Sequence, residues 1–152
     1  MATHALIAFL AMPGMVAFAI PVAWLWHTVN FEPAHPFGLI LLAFGLVALL
    51  SCIRHFFVSG RGTLAPWAPP ENLVTVGLYR YSRNPMYLSV AAVLLGWVLS
   101  FGSIVLLAYA IVTLVAFHLQ VVLHEEPGLA RTYGREWEQY ASRVPRWLKL
   151  TT

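Results

Sequence analysis

Three long apolar runs limit what this chain can fold into. They cover residues 5–26, 37–58 and 103–123. Each has about 20 residues, which as a helix would extend roughly 30 Å, the thickness of a bilayer's hydrocarbon core. With 60% hydrophobic and only 10% charged residues, the 152-residue chain has more apolar surface than a soluble domain of this size could bury. The sequence therefore predicts an integral membrane protein.

A fourth, shorter run completes the predicted fold. Residues 86–99 are apolar, and a helix over 84–101 would cross a slightly thinned bilayer. The following Ser and Gly residues favour a tight hairpin into the next run. We therefore expect one all-α integral membrane domain over 1–152, whose parts are four transmembrane helices at about 5–26, 37–58, 84–101 and 103–123, a cytoplasmic loop over 60–83, and a tail over 124–152.

The tail contains a predicted amphipathic helix. Its apolar residues recur at near-helical spacing: Leu129, Tyr133, Trp137, Tyr140 and Val144. Charged and polar residues occupy the opposite face, so the apolar face should pack on the membrane or on the helical bundle. Gly134 interrupts this pattern at a cost of about 1 kcal/mol, which favours close approach of a ligand or a neighbouring helix there.

The distribution of basic residues predicts the orientation. No Lys or Arg precedes Arg54, and the others lie in the loop over 60–83 or in the tail. Because basic residues near the ends of spans stay in the cytoplasm, we expect a multi-pass protein with both termini cytoplasmic. This bias and anionic lipid explain the net charge of +3, so we expect membrane lipid and no nucleic acid as a partner.

Common soluble-enzyme motifs are missing from the sequence. The one cysteine, Cys52, lies inside the second apolar run and is best interpreted as a small buried hydrophobic residue. No Cys and His spacing matches a zinc site, and no Gly-rich phosphate loop or GxSxG turn is present. We therefore expect no metal.

Polar residues cluster where the third predicted helix begins. The run Gly77–Tyr87 reads GLYRYSRNPMY. Pro85 suits a first helical turn, Asn84 can cap the helix, and the free N–H groups there attract anions. Arg83 would then bind a carboxylate or a phosphate. Alternatively, Arg83 is only a membrane anchor on the cytoplasmic side.

A second polar group directly follows the fourth run. Glu125 and Glu126 would oppose the dipole at a helix C-terminus, so other groups should compensate them. Adjacent helical residues point about 100° apart, so only one of the two can face a given pocket. His124 could accept a proton or cap the helix, and His118 should face the bundle or a cavity.

Together these residues resemble a known family of membrane enzymes. The run Gly77–Tyr87, the pair Glu125 and Glu126, and several tail residues from Tyr133 to Pro145 are similar to isoprenylcysteine carboxyl methyltransferases and the related phospholipid methyltransferases. These enzymes use S-adenosylmethionine. In the Arg-His-Pro-x-Tyr element of the family the second position is often His, whereas this chain has Asn84, as many bacterial relatives do. The resemblance thus implies a bacterial inner-membrane protein.

The resemblance also implies a cofactor pocket with two sides. One side would comprise Tyr79, Arg83, Asn84, Pro85 and Tyr87, and the other His124, Glu125 and Glu126. Arg83 or the helix start would bind the carboxylate of S-adenosylmethionine, a glutamate its ribose diol, and an aromatic face its sulfonium. Catalytic roles fall to Arg83, Glu125 and His124.

We therefore expect methyl transfer from S-adenosylmethionine to a hydrophobic, lipidic or prenylated acceptor, as in isoprenylcysteine carboxyl methyltransferases. A carboxylate acceptor is already ionised and needs no base, whereas an ammonium or thiol must lose a proton, which makes His124 a candidate base. Three alternatives remain. They are a phospholipid or small-lipid N-methyltransferase, an NADPH-dependent membrane reductase, and a non-catalytic membrane protein.

Overall fold

The fold is described by a computed structural model that covers residues 13–28, 35–60 and 71–148. All regular structure in these ranges is helical, which confirms the predicted all-α class. The helices are α1 (Met15–Thr28), α2 (Pro36–Gly60), α3 (Pro85–Phe101), α4 (Ile104–Tyr133) and α5 (Arg135–Arg143). A short 3-10 turn, Gly77–Arg80, lies between α2 and α3.

Two of the described helices are long and apolar enough to cross a membrane. They are α2, with 25 residues, and α4, with 30. The helix α3 agrees closely with the predicted span over 84–101, but its 17 residues extend only about 25 Å. The predicted first span begins outside the described residues, and α1 forms its second half. The arrangement of four spans therefore stays a prediction.

Close backbone contact joins α2 to α3. A Cβ atom at Gly45 would lie 2.7 Å from the backbone nitrogen of Val93, and one at Gly96 would lie 2.6 Å from that of Leu42. Small residues allow such an approach, which gains dispersion contacts and is common between membrane helices. The buried core follows this seam, with Val90 and Val93 facing Leu49.

The helix α1 is joined to this core by polar contacts at a π-helical turn, Met15–Ala19. The indole Nε1 of Trp97 donates to the carbonyl of Ala17 at 2.8 Å, and the hydroxyl of Tyr109 donates to the carbonyl of Val16 at 3.0 Å. These bonds provide partners for carbonyls that the wider π turn makes accessible to side chains. They fix α1 against both α3 and α4.

The predicted hairpin between α3 and α4 is present. Gly102 ends α3 in the left-handed conformation, with φ of 62°, and its N–H donates to the carbonyl of Val98 at 2.8 Å. Ser103 then caps α4, since its hydroxyl accepts from the N–H of Leu106 at 3.4 Å. The turn residues thus act as their chemistry predicts.

The helix α4 does not end at Leu123, as the apolar run suggested. It continues to Tyr133 through a π-helical turn, Val121–Glu125. A proline inside a helix clashes with the carbonyl four residues earlier, and the wider π turn directly before Pro127 relieves this clash. The expectation that Glu125 and Glu126 lie at a helix C-terminus was therefore wrong, because both lie inside a continuous helix.

The tail confirms the amphipathic prediction and corrects the role of one glycine. Trp137, Tyr140 and Val144 are buried on one face, with Leu73 and Leu129 packed against them. The interruption lies at Gly134, where φ is 51° and ψ is −120°. Among the described atoms, none lies within 4 Å of a Cβ placed there, so no neighbouring helix makes the expected close approach. The glycine serves the backbone conformation of the turn between α4 and α5.

The close contact between α2 and α3 predicts a sharp difference between two glycines. In Gly45→Ala the new methyl would meet backbone atoms of α3, so the helices must separate, and we expect a loss of about 1–3 kcal/mol in unfolding free energy. In Gly128→Ala the new methyl meets no described atom within 4 Å, and the higher helix propensity of alanine should make this control neutral or stabilising. Thermal unfolding in detergent compares them, and equal midpoints would contradict the packing.

Candidate active site

Three distant parts of the chain meet at the carboxylate of Glu126. Arg83, just before α3, donates from Nη1 to Oε1 at 2.9 Å. Arg146, beyond α5, donates from Nε to Oε1 at 2.9 Å and from Nη2 to Oε2 at 2.7 Å. The second contact is bidentate, which is the strongest geometry for this pair of groups. One carboxylate between two guanidiniums leaves the cluster with a net positive charge.

Residues 144–147, called the strap below, run alongside the segment that starts α3. The N–H of Arg83 donates to the carbonyl of Pro145 at 2.9 Å. The carbonyl of Arg146 accepts from the hydroxyl of Ser82 at 3.2 Å and from the amide of Asn84 at 3.1 Å. The strap is therefore held by backbone and side-chain bonds as well as by the ion pair.

The helix α5 secures the same segment from its buried face. The hydroxyl of Tyr140 donates to the carbonyl of Tyr79 at 2.7 Å. Burial raises the pKa of Tyr140 to about 12, although the nearby Arg83 guanidinium lowers it. Burial also raises the pKa of Tyr79 well above its usual range. The guanidinium carbon of Arg83 lies 5.7 Å from the centroid of Trp137, a cation–π distance.

Glu125 faces a different partner from Glu126. It accepts a hydrogen bond from the hydroxyl of Tyr87, in the first turn of α3. The ring of Tyr87 in turn packs against Phe117 of α4, with centroids 4.6 Å apart. The two neighbouring carboxylates thus divide their roles, since Glu126 joins the ion cluster and Glu125 lies beside an aromatic pair.

A cavity of about 300 Å³ lies next to the pair of Tyr87 and Glu125. It is formed between α3 and α4 and is closed at one side by the strap. Its lining residues are Tyr87, Leu88, Ala91, Leu114, Phe117, His118 and Trp147. The wall is mainly apolar and aromatic, which suits an apolar group or a poorly hydrated cation. His118 therefore faces a cavity, as the sequence predicted.

The structure brings most of the predicted site residues together. Arg83 and Glu126 are paired, Glu125 and Tyr87 are paired, and Pro85 occupies the first turn of α3. Tyr79 is buried beneath the same segment. These residues come from two helices and a turn, and their roles in binding a cofactor stay a prediction.

Two predicted residues have other surroundings. Asn84 occupies the cap position of α3, but its amide donates to the strap, so the expected cap by its side chain was wrong. His124 is exposed and does not belong to the lining of the cavity. Its role as a base stays a prediction.

Sequence reasoning missed the contribution of the strap. The need to compensate two adjacent carboxylates was visible, and Arg146 was one of several basic tail residues that could do so. Nothing in the spacing of the tail distinguished Arg146 from Arg143. Trp147 carried no pattern of its own, because it lies beyond the amphipathic repeat. Within the described ranges, no group of three or more metal-ligating side chains is present.

This fold defines a class of protein: helical, membrane-associated, and with a charged and aromatic site at one end of its apolar helices. A family model described as phospholipid methyltransferase matches residues 33–136, about two thirds of the chain, and the chain belongs to this family. Comparisons with curated proteins and with solved structures gave no match. The family is one of membrane methyltransferases that generally use S-adenosylmethionine. The resemblance seen in the sequence is thereby confirmed.

The buried Tyr140 hydroxyl predicts a pH-dependent difference in stability. At neutral pH, Tyr140→Phe should lose about 1 kcal/mol with its hydrogen bond. An unfolded tyrosine ionises near pH 10, whereas folded Tyr140 keeps its proton to about 12. Its contribution is therefore complete below about pH 10 and is lost as the pH rises through about 12.

Unfolding midpoints in detergent from about pH 8 to about pH 11.5 test this, with the exposed Tyr81→Phe as control. The gap between wild type and Tyr140→Phe should narrow as the pH rises, while Tyr81→Phe should follow wild type throughout. A gap that is constant with pH would contradict the assignment.

Proposed function

We propose that this protein transfers a methyl group from S-adenosylmethionine to a hydrophobic acceptor in the membrane, and that the site lies where α3, α4 and the strap meet. Family membership supports the reaction class. The observation that supports the location is the carboxylate of Glu125, bonded to Tyr87 at the edge of an apolar cavity. The proposed orientation is multi-pass with four spans, with this site and both termini on the cytoplasmic side of a bacterial inner membrane.

The chemistry of the available groups fits the cofactor. The oxygens of Glu125 can accept hydrogen bonds from a ribose diol. The positive surplus of the cluster of Arg83, Arg146 and Glu126, together with the free N–H groups at the start of α3, suits an amino-acid carboxylate. The aromatic wall suits a sulfonium, which is a cation without hydrogen-bond donors.

When bound, S-adenosylmethionine supplies an electrophilic methyl group, so the protein has mainly to position the reactants. Tyr87 orients the carboxylate of Glu125 by its hydrogen bond, and Phe117 supports the ring of Tyr87. Apolar side chains from both helices line the cavity, an environment that strengthens electrostatic contacts with a bound cation. Holding a nucleophile in line with the methyl carbon can contribute most of the acceleration of a two-substrate reaction.

The acceptor determines whether a base takes part. The family description names phospholipid, and an amine of a phospholipid or small lipid would have to lose a proton before attack. A prenylated or other lipidic carboxylate would not. In the first case Glu125, beside the cavity, and the exposed His124 are the two candidate bases. The family match favours both acceptors over an NADPH-dependent reductase.

The first experiment follows transfer of a labelled methyl group from S-adenosylmethionine to a total membrane-lipid extract in detergent. We expect label in the lipid fraction, and Glu125→Gln should reduce it by roughly 10- to 100-fold, as expected when a hydrogen bond between a charged group and the ligand is lost. The matched control is Glu138→Gln, on the exposed face of α5. His124→Ala reports separately on the candidate base.

Calorimetry with S-adenosylhomocysteine and with NADPH separates the alternatives. Binding of the former alone, weakened by Glu125→Gln, agrees with the proposal. Binding of NADPH alone would make the protein a reductase, and binding of neither by folded protein would favour a non-catalytic role. Equal transfer by Glu125→Gln and wild type would contradict the location of the site.

A further inference from the structure

The strap brings a tryptophan into the cavity from outside the region that the family model matches. Trp147 lines the cavity together with Tyr87 and Phe117, and its ring lies 6.0 Å from that of His118. The match ends at residue 136, so Trp147 is supplied by the tail that follows it. The wall of the cavity thus includes a residue that neither the sequence pattern nor the family match assigns.

The position of Trp147 depends on the residue before it. Arg146 is bound to Glu126 through its side chain and to Ser82 and Asn84 through its carbonyl. Immediately beside the indole, the strap is therefore held to α4 by the Arg146 side chain and to the start of α3 by its backbone. Without the bidentate contact, the strap would keep its backbone bonds to the start of α3 but lose its ion pair with α4.

We propose that Trp147 is a ligand-contacting residue of the methyl-transfer site, and that Arg146 is the positioning residue that holds it there. This inference rests on the proposed function. A sulfonium cannot donate hydrogen bonds, so electron-rich ring faces and a nearby carboxylate are the protein groups best able to stabilise it. Trp147 and Tyr87 provide the faces and Glu125 provides the charge. Indole is the most favourable ring for this contact.

Two analogues that differ in charge at the reacting position test the contact between Trp147 and the cation. S-adenosylhomocysteine is a neutral thioether, whereas sinefungin carries an amine in place of the methyl-bearing sulfonium and transfers nothing. In Trp147→Ala the affinity for sinefungin should fall by roughly 3- to 30-fold, the range expected for one lost cation–π contact, and that for S-adenosylhomocysteine should fall less. Trp147→Phe should retain part of the affinity for sinefungin, because a phenyl ring still offers a face to the cation. The control is Trp24→Ala, on α1.

Arg146 is tested by a signal from the indole itself. In protein labelled with 5-fluorotryptophan, the fluorine resonance of Trp147 is identified by its loss in Trp147→Phe. Arg146→Ala should move this resonance and weaken sinefungin binding, and Arg146→Lys should restore both in part, since lysine keeps the charge but not the bidentate contact. Arg143→Ala, an exposed arginine three positions earlier, should change neither.

The outcomes separate the inference from the function on which it rests. If wild type binds neither analogue, the proposed function fails and the inference fails with it. If wild type binds both and Trp147→Ala binds them as well as wild type, or loses the two equally, the proposed function stands and the contact of Trp147 with the cation is overturned. An unmoved fluorine resonance in Arg146→Ala would overturn the positioning role.

Discussion

The arrangement of the site depends on the carboxylate of Glu126 and the two ion pairs that it forms. It connects a residue 43 positions earlier, Arg83, with one 20 positions later, Arg146. The side chains of Glu126 and Arg83 are only 14% and 15% exposed, so their attraction is weakly screened by solvent. Removing the carboxylate would leave Arg83 as a partly buried charge, whose Nε already has no hydrogen-bond partner among the described residues. Removing one partner of a buried ion pair lowers the stability of the fold strongly, because the remaining charge is uncompensated.

The neighbouring Glu125 takes no part in these ion pairs, because its position on the helix points it in another direction. Two adjacent carboxylates in one helix face different directions, and the cluster of arginines uses only one of them. The other accepts a hydrogen bond from Tyr87, which lines the cavity. The π-helical turn before Pro127 allows the helix to continue past the proline. Both glutamates therefore lie inside a continuous helix and not at a frayed helix end. Of these two adjacent residues, Glu126 thus has a structural role and Glu125 is the candidate catalytic residue.

Much of the fold was accessible from sequence because it follows local rules. The apolar runs predicted α2, α3 and the apolar part of α4, and the Ser and Gly residues around Gly102 predicted the hairpin between α3 and α4. The interruption at Gly134 was visible too, but its role in the turn before α5 was not. The extension of α4 past Pro127 was not predictable, since the presence of a proline normally indicates a boundary and the compensating π turn has no clear sequence signal. The strap was missed because its partners lie 20 to 64 positions away along the chain. Contacts at such separations leave no periodic pattern.

The proposed binding site for the methyl donor lies between the first turn of α3, the second half of α4 and the strap. The most direct test is an experimental structure of the detergent-solubilised protein with S-adenosylhomocysteine bound. The ribose of the ligand should lie at the carboxylate of Glu125 and its sulfur beside the rings of Tyr87 and Trp147. A ligand bound elsewhere, with Glu125 and Tyr87 still bonded only to each other, would contradict it.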